Sequence, residues 1–198
     1  QEMVMKRDGI KRSLKRLCVT AAAIVPATVI WLPFLHLCFK PDISDFRSRD
    51  NIAPKAQAIA AQQLHLWTEQ NLMSQEQTRM RDSNAEWDFM GRTFHVLALA
   101  NMALRDPGQR DSYLGMMDRI IADTLRLEKE NGIYYFLMDY ARAGPFVSSK
   151  ARSLFQDGEI ALMLGCRRLI EEKASYRQPF AFRVRVMQAY MQESPILA

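Results

Sequence analysis

Two short acidic clusters contain the side chains best suited to chemistry. They are residues 84–88 (NAEWD) and 157–159 (DGE), and each stands at the start of a long apolar run, as at the start of a buried helix. A carboxyl group at the mouth of an apolar cavity can act as a general acid or base. The candidate catalytic residues are therefore Asp88, Asp157 and Glu159.

Acidic residues at a helix start also have a purely structural use. They accept hydrogen bonds from the unpaired N–H groups of the first turn and match the positive end of the helix dipole. This capping role is favoured for Glu86 and Asp88. For Glu159, which follows Gly158 and precedes apolar residues inside the helix, catalysis and capping both stay open.

Aromatic side chains near the two clusters could wall an apolar pocket. The predicted pocket residues are Trp87, Phe94, Tyr140 and Phe155. The alternative, which the usual location of aromatic residues favours, is that they fill the core. His95 lies seven residues after Asp88 on the same helical face and is predicted to be a hydrogen-bonded core residue.

Other kinds of site have no sequence signal. The chain contains no G-x-G-x-x-G, G-x-x-x-x-G-K-[ST], G-x-S-x-G or H-E-x-x-H motif. Its three histidines fall in separate segments without zinc-ligand spacing, so we predict no metal and no cofactor. Residues 1–39 hold six of the 27 basic and two of the 22 acidic residues, so the rest of the chain is nearly neutral and no nucleic-acid partner is predicted.

Residues 17–39 predict a membrane anchor, with Leu17, Trp31 and Phe39 marking its start, its outer part and its end. These 23 residues include no Asp, Glu, Lys or Arg. As a helix they would span about 34 Å, which exceeds the roughly 30 Å of a bilayer core. The basic residues before the segment place the N-terminus in the cytoplasm and residue 40 onward on the extracytoplasmic side of the inner or plasma membrane.

A cleaved signal peptide is the rival interpretation of this segment. Its apolar region would be about 7–15 residues long and would end in a small-x-small site. Here the apolar stretch is longer and ends in bulky residues at 35–38 (LHLC), which favours an uncleaved single-pass anchor with the lipid bilayer as partner.

The remainder of the chain is predicted to be all-α. Apolar periodicity places helices at 54–73, 85–105, 110–130, 153–173 and 179–192, with a polar connector at 74–84 and either a short strand or a helical turn at 133–140. The predicted organisation is a basic cytoplasmic tail (1–16), the anchor (17–39), a linker (40–52) and a helical-hairpin domain (53–198).

The helices alternate in character. Residues 94–104 and 160–170 are apolar on most sides, whereas 113–128 and 180–192 are amphipathic, which predicts two concentric layers. A shift of 67 residues aligns Gly91 with Gly158, a weak internal repeat that agrees with stacked hairpins of an α/α-barrel type.

Three segments resemble the linalool dehydratase/isomerase-like family: residues 84–92 (NAEWDFMGR), 103–107 (ALRDP) and 153–163 (SLFQDGEIALM). The resemblance extends over about residues 84–195. It implies an (α/α)6 barrel that dehydrates or isomerises apolar alcohols such as terpenols by acid/base chemistry without a metal. Glu159 departs from the family pattern, since terpene-handling members have a histidine there.

The resemblance also implies an incomplete site. Residues 40–198 supply about three hairpins of such a barrel, and the cysteine-bearing segment of the family would lie beyond Ala198. We therefore expect a membrane-anchored N-terminal portion of a lyase or isomerase whose open edge is covered by the missing half of the barrel or by another protein subunit. The alternative is a non-catalytic single-pass helical subunit docked in a larger membrane protein complex.

Overall fold

The described part of the chain is helical throughout. The computed structural model describes residues 2–49, 51–143 and 152–193, and the regular elements within these ranges are α-helices and two 3₁₀ turns, which confirms the all-α prediction for them. The chain divides into two compact units, Gln1–Asp45 and Phe46–Ala198.

The first unit is dominated by one long helix, α1 (Glu2–Cys38). Within it, Ser13–Cys38 is apolar and long enough to cross a bilayer, and none of its side chains is buried. A membrane anchor and a signal sequence share this property. Pro26 and Pro33 lie inside α1 without ending it. The predicted N-terminal apolar helix is thus present and ends one residue before Phe39. A short helix, α2 (Ile43–Phe46), follows it.

The second unit contains the remaining helices. They are α3 (Pro54–Thr68), α4 (Gln70–Ser83), α5 (Ala85–Arg105), α6 (Arg110–Asn131), α7 (Tyr140–Ala143), α8 (Leu154–Ile170) and α9 (Ala174–Glu193), with 3₁₀ turns at Pro107–Gln109 and Ile133–Phe136.

Local chemistry explains several of the helix ends. The Asn84 side chain accepts hydrogen bonds from the N–H groups of Glu86 and Trp87 at 2.9 and 3.2 Å and so caps α5. The Ser153 hydroxyl caps α8 in the same way. At the end of α6, Gly132 takes a positive φ of 82°, which a residue without a side chain adopts readily.

Several boundaries differ from the prediction. The helix predicted at 54–73 ends at Thr68, and a separate helix begins at Gln70. The polar connector at 74–84 is largely helix α4, because its Gln, Glu, Arg and Met residues favour helix even without an apolar stripe. Helix α9 begins at Ala174 rather than Pro179, so the proline lies inside the helix near its start. Residues 133–136 form a 3₁₀ turn and no strand. The predicted break at Gly144-Pro145 lies outside the described residues.

Helices α5, α6 and α8 supply most of the core. Helix α5 packs on α6 and beside α8, and α8 packs on α9. Phe89 of α5 stacks on Phe136 with ring centroids 4.8 Å apart and meets Phe155 edge-on at 5.5 Å. Side chains with less than 2% exposure include Val96, Leu99, Met117, Ile120, Ile121, Ile160, Met163 and Leu164. This core holds the starts of α5 and α8, and hence both acidic clusters, in the second unit.

Candidate functional site

Asp157 lies in a buried network of charges. Its side chain is about 1% exposed and binds two arginines. The Arg183 guanidinium donates to Asp157 Oδ1 at 2.5 Å and also pairs with Glu128 of α6, while Arg152 donates to Asp157 Oδ2 at 3.0 Å. Both carboxylate oxygens of Asp157 are therefore occupied by guanidinium N–H groups, an arrangement that ties α8 to α9.

Arg183 is the centre of that network. Burial opposes its charged form, but hydrogen bonds and charges from Glu128 and Asp157 outweigh this effect and raise the pKa of Arg183. Gln156 adds an amide hydrogen bond to Glu128 at 3.1 Å. Sequence reasoning missed Arg183 and Glu128, because they lie 26 and 29 residues from Asp157 and nothing local marks them as its partners.

Asp88 takes part in a second arginine network. Arg92, one turn later on α5, donates to Asp88 Oδ1 at 2.9 Å and to Asp123 Oδ2 of α6 at 2.8 Å. The same guanidinium lies 5.6 Å from the centre of the Trp67 ring. Burial would raise the pKa of Asp123, but the hydrogen bonds from Arg92 and Arg126 lower it. Arg92, which Asp88 holds within α5, thus joins α5 to α6 and α3.

Glu159 is the candidate carboxylate without an arginine. It is half-buried on α8, and it makes no hydrogen bond or ion pair with any residue of the described ranges. Two residues along a helix correspond to a rotation of about 200°, so Glu159 and Asp157 point to different sides of α8. The two acidic residues of this cluster do not converge on one point.

The four predicted pocket aromatics do not form a single group. Phe155 packs against the core beside Phe89. Trp87, Phe94 and Tyr140 are more than half exposed. The Tyr140 hydroxyl donates to Glu86 Oε1 at 2.5 Å, and this hydrogen bond raises the pKa of Tyr140. Glu86 thus tethers the start of α7 to α5, in addition to standing in the first turn.

His95 lies where two apolar cavities meet. A cavity of about 590 Å³ lies between α3, α5 and residues 46–48 and 52–53. A second one of about 350 Å³ lies between α3, α4 and α5 and includes Phe94 and Asp88 in its lining. Both are lined by Ile59, Gln63, His95 and Ala98.

The surroundings of His95 make it a neutral base. Its Nε2 atom is buried and has no hydrogen-bond partner in the described ranges, so the prediction of a hydrogen-bonded core histidine is wrong at this atom. Desolvation lowers the pKa of His95 from 6.5 to about 4. No sequence signal distinguishes it from a core histidine, because the cavities arise from three separate helices.

The described residues contain no group of three or more His, Cys, Asp or Glu side chains arranged to hold a metal ion. Cys166 is half-buried beside the core, and burial raises the pKa of its thiol. Comparison with protein families, with curated proteins and with solved structures finds no match to this chain.

Proposed function

We propose that this chain is the membrane-anchored N-terminal portion of a linalool dehydratase/isomerase-like α/α-barrel protein that dehydrates or isomerises an apolar alcohol. The observation that carries the proposal is the order of the helices. Hairpin α5/α6 is followed by hairpin α8/α9, and α5 and α8 lie side by side. Successive hairpins whose first helices are neighbours occur in stacked helical-hairpin folds, to which α/α barrels belong. The similarity of residues 84–92, 103–107 and 153–163 to the family supports the same assignment.

The exposed apolar surface supports an incomplete ring. Large apolar side chains remain exposed on α5 at Trp87, Phe94 and Leu104, and on α8 at Leu162 and Leu169, which is 84% exposed. Exposed apolar residues on neighbouring helices are typical of a surface that another element covers. In the proposed protein the remaining helices of the barrel cover it.

The anchor in this proposal is the apolar part of α1. None of its 26 residues, Ser13–Cys38, is buried. The basic residues before Leu17 favour a cytoplasmic N-terminus, and in the proposed arrangement the helical unit lies on the extracytoplasmic side. Trp31 would lie towards the outer interface of the bilayer and Phe39 at its edge.

The carboxylates divide into two roles. Asp88 and Asp157 have arginine partners on their oxygen atoms and would position the helices rather than exchange protons with a substrate. Glu159, which has no such partner among the described residues, is the proposed acid/base residue. It would donate a proton to the leaving hydroxyl of an alcohol or accept one from the neighbouring carbon.

The experiment compares two glutamates in native membranes. The chain is tagged at its own locus, and conversion of a tertiary monoterpene alcohol to the diene is measured by gas chromatography. Glu159→Gln is expected to abolish turnover. Glu193→Gln, at the exposed end of α9, is the matched control and should keep it. Equal turnover in the two variants would show that Glu159 does not take part in the reaction.

The same experiment tests a second candidate, a non-catalytic single-pass subunit of a membrane complex. The observation that favours it is that two of the three candidate carboxylates are held in buried ion pairs. No turnover by the unmodified chain, together with co-purification of other membrane proteins on its tag, would favour this candidate over the enzyme.

A further inference from the structure

The larger cavity beside His95 has the volume and the mainly apolar lining of a ligand site. Its volume of about 590 Å³ falls in the range of small-molecule sites. Its walls come from α3, α5 and the segment that leads into α3. The apolar lining residues are Phe46, Ile52, Ala53, Ala56, Ile59, Ala60, Ala98, Leu99 and Met102. Glu159 is not part of this lining, so the cavity is a site separate from the proposed acid/base residue.

The charged residues that line this cavity, among those the structure describes, are Arg47 and Arg105, and both are basic. Neither arginine forms a hydrogen bond or an ion pair with a residue of the described ranges. His95, the remaining titratable group of the lining, is neutral at pH 7 because its pKa is about 4. An apolar cavity with two exposed guanidinium groups in its lining is complementary to a molecule with an apolar tail and an anionic head.

A structural use accounts for only one of the two arginines. Arg105 is the last residue of α5, where a cation suits the negative end of the helix dipole. Arg47 follows the short helix α2 in irregular chain and has no equivalent use there. An anionic ligand in the cavity would give this exposed guanidinium a partner.

We propose that this cavity binds a single-chain amphiphile with an anionic head group, of which a long-chain carboxylate is the simplest example. The alkyl tail lies along Ile59, Leu99 and Met102. The head group accepts hydrogen bonds from Arg47 and Arg105, whose planar guanidinium groups suit a carboxylate or a phosphate. This inference does not rest on the proposed alcohol chemistry, since it concerns another part of the fold and a charged ligand.

The test uses the full chain in phosphatidylcholine nanodiscs and a palmitate analogue that carries a photoreactive diazirine in its tail. Crosslinked peptides are identified by mass spectrometry and are expected to come from α3 and α5. Unlabelled palmitate should suppress labelling, and hexadecyl phosphate should do so as well because it shares the anionic head. Hexadecanol has the same tail and no charge. It should suppress labelling to the same extent only at a concentration at least about tenfold higher.

Variants separate the head-group and tail contributions. Arg47→Gln and Arg105→Gln should each weaken the apparent affinity roughly tenfold, which is typical of one lost charge-assisted contact. Arg185→Gln, on the exposed side of α9, is the matched control and should leave it unchanged. Ala98→Trp fills the cavity and should abolish labelling of α3 and α5, whereas Ala189→Trp on α9 should not.

Two results would overturn the inference. One is equal competition by hexadecanol and palmitate, which would show that charge does not contribute to recognition. The other is labelling that neither arginine variant nor Ala98→Trp reduces. Neither result bears on turnover by Glu159, so failure of this inference and failure of the proposed function can be told apart.

Discussion

Protonation of His95 should destabilise the helical unit in mild acid. Its imidazole is desolvated between two cavities, and its pKa falls from 6.5 to about 4 on folding. Between these values the unfolded chain binds a proton that the folded chain does not bind. The free energy of unfolding therefore decreases as the pH falls below 6.5, and the loss is complete below pH 4.

The two pKa values determine the size of the effect. Lowering the pH from 7.5 to 5 should cost about 2 kcal/mol of stability through this one group. Carboxylates contribute little in that interval. The pKa of Asp118 and that of Asp123 are lowered in the folded state, so their contributions are present above the unfolded value of 3.8 and are lost only as the pH falls below it. His95→Gln removes the titrating group and should remove the pH dependence with it.

The assay is urea unfolding of the full chain in a non-ionic detergent at pH 7.5 and pH 5, followed by far-ultraviolet circular dichroism. His65→Gln is the control, because His65 is exposed on α3 and should leave the pH dependence as it is. The charged residues that line the two cavities are Arg47, Glu76, Asp88, Arg92 and Arg105, and all of them are kept in both variants. An equal loss of stability in wild type and His95→Gln between the two pH values would refute the reasoning.

Two further predictions concern the buried ion pairs and the anchor. Arg183→Met should lower the free energy of unfolding by about 3 kcal/mol, since Glu128 would stay buried without the guanidinium that binds both of its oxygens. Urea unfolding measures this loss of stability. The exposed-site variant Arg185→Met is the control and should differ from wild type by less than about 0.5 kcal/mol. A similar loss in the two variants would contradict the role of the Arg183–Glu128 ion pair. A membrane-impermeant maleimide added outside intact cells should label Cys38 and spare Cys18, because they lie at the outer and inner ends of the proposed span. Preferential labelling of Cys18 would indicate the opposite orientation, with the N-terminus outside.

Helix α5 shows which features of this fold are local. Its predicted range of 85–105 agrees with the structure at both ends. The start depends on the Asn84 cap and the end on Asp106-Pro107, and both signals lie within a few residues of the boundary they set. Helix α9 shows the opposite case. A proline usually marks the first turn of a helix, yet packing against α8 extends α9 back to Ala174.

The candidate site likewise contains some residues that local sequence predicted and others that only tertiary packing brings together. Sequence spacing predicted that Asp88 and Asp157 would stand at the starts of two buried helices, and they do. It contained nothing about Arg183, which comes from another helix, or about the cavities around His95. An acidic residue that accepts protons and one that holds an arginine have the same local sequence pattern.

The amino-acid sequence by itself determined the all-α character of the described residues and the apolar N-terminal helix. Both follow from hydrogen bonds and side-chain periodicity within a few residues of each position. Only the tertiary structure decided which carboxylates are bound by arginine, that the lone histidine of α5 lies against apolar cavities, and that two arginines line one of these cavities. Ion pairing and desolvation depend on which distant segments meet in space, and that meeting results from the packing of several helices together.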